Sequence, residues 1–465
     1  MAQAAKSRPN KLVIRAYQVG FGDCFLLTFK YPKASKESAR ERHVLVDFGS
    51  TGMPKGIVPS EQMMRVAKDI ERVCKGKLHV VVATHRHKDH ISGFTTKDDG
   101  SGTGNVIAGL RPDVVIQPWT EDPNTKDPKP KKKAKSKKQS LAAGSILGLS
   151  FQYLTSLREM NTLAESIQTE IRSLAGGNRA QGFDSNLAEQ IEFLSEDNSL
   201  PNRSAVANLA GMGKNHYVNF GYDLKLSRLL PGVKIHVLGP PTLEQHAEIQ
   251  KQRARDENEF WMLHAAARSF WKLQSATGGL TKDFSDGETR LFPDADVYQN
   301  FFPSHHRWFI RQLNALRGEQ LLGLVRILDK AMNNTSVILL FEIGGKKLLF
   351  PGDAQIENWE YALNDEDASE LLKDVYLYKV GHHGSRNATP RTLWKNFSLK
   401  SDDHKKRGRL QTVISTMKGK HGHSKSHTEV PRKTLVKELS DQSDYITTET
   451  AAENKKLFVD VEIPL

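Results

Sequence analysis

The chain has 465 residues, with 67 Lys and Arg against 54 Asp and Glu, a formal net charge of +13, and only two cysteines. Two cysteines exclude a disulfide framework and suit a reducing, cytoplasmic setting. No run approaches the roughly 18 apolar residues of a membrane span, so membrane insertion is not expected. The polar start MAQAAKSRPNK lacks the apolar core of a signal peptide.

Short apolar runs bounded by glycine predict strands at Leu12–Tyr17, Phe25–Phe29 and Val44–Val46, the last running into Asp47 and Gly49. Residues 60–76 read as a helix, with Ser60 able to cap it, Met63, Val66, Ile70 and Val73 on one face, and Gly76 as a stop. Another strand, starting near Leu78, follows, and Asp113–Ile116 reads as the next. Strands alternating with helices predict an α/β protein with helices packed on a sheet.

From Glu121 the character changes. The segment KDPKPKKKAKSKK, residues 126–138, has eight lysines, two prolines and no large apolar residue. It reads as a solvated loop, with nucleic-acid tethering as the functional alternative. Helical patterns follow at 145–174 and at about 185–194, so residues 121–200 read as a basic loop plus helical insertion. A strand at Val233–Leu238 resumes the core and ends in Gly239-Pro240-Pro241. A second helical insertion spans 242–332, with patterns from Thr242 to about Leu273 and from Trp308 to Met332. The apolar stripes of these insertions are packing faces, against the core or against a second copy of the chain. Val337–Ile343 and Lys347–Phe350 then form a hairpin around Gly344-Gly345, and Val375–Val380 is a further strand.

The chemistry concentrates at strand ends. The strand through Val80–Ala83 delivers His85, His87, Asp89 and His90 within six residues. Residues two apart in extended chain face the same way, so His85 and His87 can grip one ion, while Asp89 and His90 come after a change of direction. Gly352-Asp353 and Gly381-His382-His383 follow two later strands. Three strands thus end in ligand-type residues, which can meet at one sheet edge.

The string His85-Arg86-His87-Lys88-Asp89-His90 resembles the HxHxDH signature of the metallo-β-lactamase fold hydrolases. Val19-Gly20-Phe21-Gly22-Asp23-Cys24, Asp47-Phe48-Gly49, Gly352-Asp353 and Gly381-His382-His383-Gly384-Ser385 extend the likeness. The set is most similar to the soluble hydrolase domain of the competence DNA-uptake (ComEC-like) proteins, and bacterial phosphorylcholine esterases share much of it. The resemblance covers about 120 N-terminal and about 130 C-terminal residues. It implies an αββα sandwich over residues 11–465 with helical insertions, and a site for two divalent ions.

On that resemblance His85 and His87 bind the first ion, Asp89 and His90 the second, and Asp353 bridges both. His383 or His382 completes the second site, and Asp47 orients a ligand histidine. Ligands without a thiolate suit Zn²⁺, and also Mn²⁺ or Fe. A hydroxide held between two such ions is the expected nucleophile. One ligand of the wider family is missing, since Gly239-Pro240-Pro241 offers no histidine; His216 is a candidate substitute. Asp89 and His427 are the expected catalytic residues, and Ser385, Asn387 and His423 the expected substrate contacts. Lys379, Arg386 and Lys425 would favour a phosphate.

The leading expectation is a metal-dependent phosphodiesterase acting on nucleic acid or a nucleotide-like ester. A second is a hydrolase of a lactone, thioester or phosphorylcholine-type ester, for which Trp119, Trp261, Trp271, Trp308 and Trp394 could supply an aromatic cage. A third is an inactive binding or assembly module, against which the retained ligand residues argue.

Overall fold

A computed structural model describes residues 8–32, 41–123, 203–246, 333–385, 389–420 and 429–465, all within one compact unit. The lysine-rich segment 126–138 lies outside the described residues. So do the helical patterns at 145–174, 185–194 and 308–332, and all but the start of the one from Thr242.

The described chain is mixed α/β with two mixed sheets. The first contains β1 (Lys11–Tyr17), β2 (Cys24–Lys30), β3 (Glu41–Phe48), β4 (Val80–Val82), β5 (Val114–Pro118), β6 (Lys214–Val218) and β13 (Phe458–Pro464), in the order β13-β1-β2-β3-β4-β5-β6. Pairing is antiparallel from β13 to β3 and parallel from β3 to β6. The second contains β7 (Val233–Gly239), β8 (Ile338–Ile343), β9 (Lys346–Phe350), β10 (Val375–Lys379), β11 (Gln411–Ile414) and β12 (Asp444–Thr447), in the order β12-β11-β10-β9-β8-β7. Its β9 to β12 are parallel, and β7, β8 and β9 are antiparallel.

Residue alternation decides the layers. In β4, Val80 and Val82 join Phe25, Val46, Leu339, Phe350 and Leu377 in a core that draws on both sheets. Val81, pointing the other way, packs with Met63, Val66 and Ile70 of α1 (Pro59–Cys74). Leu340, Leu349 and Tyr378 of the second sheet pack instead with Trp359, Leu372, Leu393 and Leu439 from helices on its other face. The order is therefore helix, sheet, sheet, helix. Each fully buried Val or Leu contributes about 1.5–3 kcal/mol, which is why the central strands read as unbroken apolar runs.

The helix expected at 60–76 is α1. It begins one residue earlier and without a side-chain cap, because Pro59 opens it. It ends at left-handed Lys75, followed by Gly76 at φ 86°. The glycine hairpin of β8 and β9 forms as expected, with Gly344 and Gly345 both at positive φ. The last strand is held by Arg15, whose guanidinium forks onto Asp460 at 2.8 Å, bonds Asp69 of α1 at 2.7 Å and lies 3.4 Å over the Phe458 ring. No helix of the described residues is long and apolar enough to cross a membrane.

His43 and His79 are buried side by side between β3 and the start of β4. The His43 amide donates to His79 Nδ1 at 3.1 Å, which requires that nitrogen unprotonated. Burial pushes both down to about 4, with Arg42 adding to it at His79. A depressed histidine keeps its full contribution above the unfolded value near 6.5 and loses it as pH falls toward 4. Chemical denaturation at pH 7.5 and pH 5 should therefore differ by about 1–2 kcal/mol for each of the two. His79→Asn, which preserves an acceptor for the His43 amide, should remove one such increment; an unchanged pH dependence would contradict this account.

Candidate metal centre

The centre forms where the carboxyl ends of β3, β4, β9 and β10 converge. Asp47, at the end of β3, has φ 55°. That turn lets Oδ1 accept the Thr84 amide and Oδ2 the Thr84 hydroxyl, both at 2.8 Å. The same Oδ2 accepts His90 Nδ1–H at 2.8 Å. Beyond β4, the chain passes His85 and His87 into a single turn, α2 (Lys88–Ile91), that carries Asp89 and His90. This turn lies against Gly49 so closely that a Cβ there would stand 2.3 Å from the Asp89 carbonyl carbon. β9 leads to Gly352, at φ 57°, and then Asp353. β10 leads to His382 and His383, both left-handed at φ 42° and 51°. Two successive non-glycine residues in that region are held only where the surroundings fix them.

Two overlapping groups carry the expected ligands, with ligand atoms in each within 4.8 Å of one another: Asp89, His90, Asp353 and His383; and His85, His87 and Asp89; a third such group, Asp23, Asp47 and His90, shares His90 with the first. In the first, His383 Nε2 lies 2.8 Å from Asp89 Oδ2 and 3.9 Å from Asp353 Oδ2. His90 Nε2 lies 3.2 Å from Asp353 Oδ2 and 3.7 Å from Asp89 Oδ2. In the second, His85 Nε2 and His87 Nδ1 are 3.0 Å apart. All six side chains are buried.

The tautomers follow from the outer partners. His383 Nδ1 faces the Ser415 carbonyl at 2.9 Å, and a carbonyl only accepts, so Nδ1 carries the proton. Asp47 fixes the same choice at His90. Both Nε2 atoms are then left facing carboxylates. Burial alone would depress these imidazoles, but Asp353, Asp89 and Asp47 hold His90 well above its ordinary value, and Asp89, Asp353 and Asp23 raise His383. Burial would raise the acids in turn. His90 and His383 hold the Asp89 carboxyl low, and His90, His382 and His383 do the same for Asp353. His85 is pushed well down by burial and by the neighbouring His90 and His87, and burial lowers His87 to about 4.

These residues fit divalent ions. Asp89 Oδ1 and His90 Nε2 are buried without a hydrogen bond. Such atoms cost several kcal/mol unless a proton or a cation satisfies them. The donors are nitrogen and carboxylate oxygen only, which suits borderline and hard divalent cations.

His85, His87, Asp89, His90, Asp353 and His383 are thus brought together as expected, and Asp47 supports His90. The carboxylate common to both groups is Asp89, whereas Asp353 was expected to bridge. His382 stands outside both groups, with its Nδ1 2.8 Å from Ser385 Oγ and its amide donating to Asp353 Oδ1 at 2.9 Å. The expectation that Lys379 favours a substrate phosphate is corrected. Its side chain is 3% exposed and ion-paired with Asp23. His216 takes no place in either group and lies 3.3 Å from the Tyr222 hydroxyl. Trp394 is buried in the helical layer and donates to Glu438, away from any cage. Arg386, Asn387, His423, Lys425 and His427 lie outside the described residues, as do Trp261, Trp271 and Trp308. Asp23, Thr84 and Ser415 carried no role in the sequence reading; the Gly22-Asp23 step was the available signal for the first.

No family model matches the chain, and no curated protein matches it significantly.

The acids facing His90 and His383 raise the proton affinity of both imidazoles, so protons and a divalent ion compete for their Nε2 atoms. Titration of metal-free protein with Zn²⁺ at a series of pH values, in buffers of different ionisation enthalpy, should report proton release on binding, and affinity should fall as pH is lowered. Uptake without proton release at any pH would contradict this competition.

Proposed function

We propose that this chain is a metal-dependent hydrolase of the metallo-β-lactamase fold that cleaves phosphodiesters. One observation carries the reading: Asp89, His90, Asp353 and His383 converge, all buried, from ends of different strands, and share Asp89 with His85 and His87. The helix-sheet-sheet-helix order supports the fold, and the net charge of +13 supports a phosphate-bearing substrate such as nucleic acid. Cys24 and Cys74, both free and buried, support a cytoplasmic setting.

His85, His87 and Asp89 would hold one ion, and Asp89, His90, Asp353 and His383 the other, with Zn²⁺, Mn²⁺ or Fe suited to both. When bound, such ions supply activated water and stabilise charge growing on a phosphoryl oxygen. The chain's own residues keep this site in order. Asp47 holds the proton on His90 Nδ1 and the Ser415 carbonyl holds the one on His383 Nδ1, so each Nε2 faces the site. Asp353 keeps Oδ2 for the site because Oδ1 is taken by the His382 amide. Burial keeps bulk water from competing for the ligand atoms.

Protein loaded with Zn²⁺ or Mn²⁺ should turn over bis-p-nitrophenyl phosphate and cleave DNA or RNA, and Asp353→Ala should lower the rate by about 100- to 1,000-fold or more. Turnover of a lactone or thioester with no phosphodiester cleavage would move the reading to that ester class. Purified protein that takes up no divalent ion would end it.

A further inference from the structure

Asp23 and Lys379 form a wholly buried ion pair behind the ligand cluster, 0% and 2% exposed. Asp23 comes from the turn between β1 and β2, and Lys379 ends β10. Lys379 Nζ pairs with Asp23 Oδ2, donates to the Gly352 carbonyl at 3.4 Å and lies 3.8 Å from Asp353 Oδ1. The Asp23 carboxylate in turn lies 3.8 Å from His90 Nδ1 and 3.7 Å from His383 Nδ1. One pair therefore faces three of the four clustered ligands, each on the side away from the atom it offers.

A buried ion pair is weak evidence of stabilisation, since apolar residues of like volume often serve as well. Its placement is what carries meaning. Asp23 puts negative charge behind both imidazoles, the arrangement that raises ligand basicity and fixes ring orientation. Lys379 neutralises Asp23, so that its burial adds no net charge, and it draws Asp353 Oδ1 back so that Oδ2 stays with His90 and His383.

We infer that Asp23 and Lys379 act as one positioning unit for the ion held by Asp89, His90, Asp353 and His383, and do not touch substrate. The inference rests on the proposed metal site and says which residues outside it set its affinity. Charge alone makes the opposite forecast for Lys379. Removing a cation beside Asp353 would tighten cation binding, whereas losing a positioning group weakens it.

The test compares wild type with Asp23→Asn, Lys379→Met and the double variant, in which both charges are gone. Metal per chain, affinity by chelator competition, the visible spectrum of the Co²⁺ form and thermal stability are measured on each. The double variant and Asp23→Asn should bind the ion of the Asp89, His90, Asp353 and His383 group about 10- to 100-fold less tightly, with altered Co²⁺ bands. Lys379→Met should also weaken binding. Where a lysine variant fails to fold, Asp23→Asn, which keeps side-chain volume, decides alone. Wild-type affinity and bands in Asp23→Asn and the double variant, whatever their melting temperature, would overturn the inference and leave the proposed function standing, as would tighter binding in Lys379→Met. Wild-type protein that binds no ion would overturn both.

Discussion

Four carboxylates, Asp23, Asp47, Asp89 and Asp353, are buried around the single ring of His90, with oxygens 2.8–3.8 Å from its two nitrogens. Asp89 with Asp353, and Asp23 with Asp47, have oxygens within 4.8 Å of one another, and like charges that close repel by roughly a few kcal/mol per pair in a protein. The arrangement stands only if positive charge is interleaved. His90, His383 and Lys379 supply it, and a divalent ion would supply it more compactly. This electrostatic condition explains why so much of the surrounding backbone is held at unusual angles, since the charges must alternate at fixed places.

The fold meets that condition through strand ends. A parallel strand buried on both faces can bring ligands to the site only where it stops, so His85, His87, Asp89, His90, Asp353 and His383 all lie just past the carboxyl ends of β4, β9 and β10. The turns are locked by unlike means: Asp47 by its hydrogen bonds to Thr84, α2 by the missing side chain at Gly49, and His383 by the carbonyl of Ser415, just past the end of the neighbouring β11. The partners come from residues as distant in sequence as Asp89 and His383, so the site is no stronger than the packing between the two sheets. The shared core containing Val80, Phe350 and Leu377 provides that packing.

The ligands could be read from the sequence because their pattern is local. His85, His87, Asp89 and His90 occupy six residues after an unmistakable apolar strand, and Asp353 and His383 each follow another. Asp47, which by pattern alone could simply cap a turn, was recognised through the family resemblance. Lys379 was read as favouring a phosphate because β10 is buried on nearly every residue, and an inward lysine in such a strand has no periodic signature. Its partner lies in a turn more than 350 positions earlier, so nothing nearby announces the pair. The pairing of β13 with β1 is invisible for a similar reason: Lys11 meets Pro464 across the whole chain. β6, with the sequence KNHYV, has only one fully buried residue, so its edge position erases the alternation that would have marked it.

The two ligand groups differ in how their charge is set before any ion arrives. Burial and the neighbouring His90 lower His85 and His87, which favours their neutral forms. The acids facing His90 and His383 raise both, which favours their charged forms. Asp89 belongs to both groups. A cation held by His85, His87 and Asp89 would draw on the same Asp89 carboxylate that raises His383. The shared carboxylate, more than the histidine count, decides how strongly the two halves of the centre are coupled.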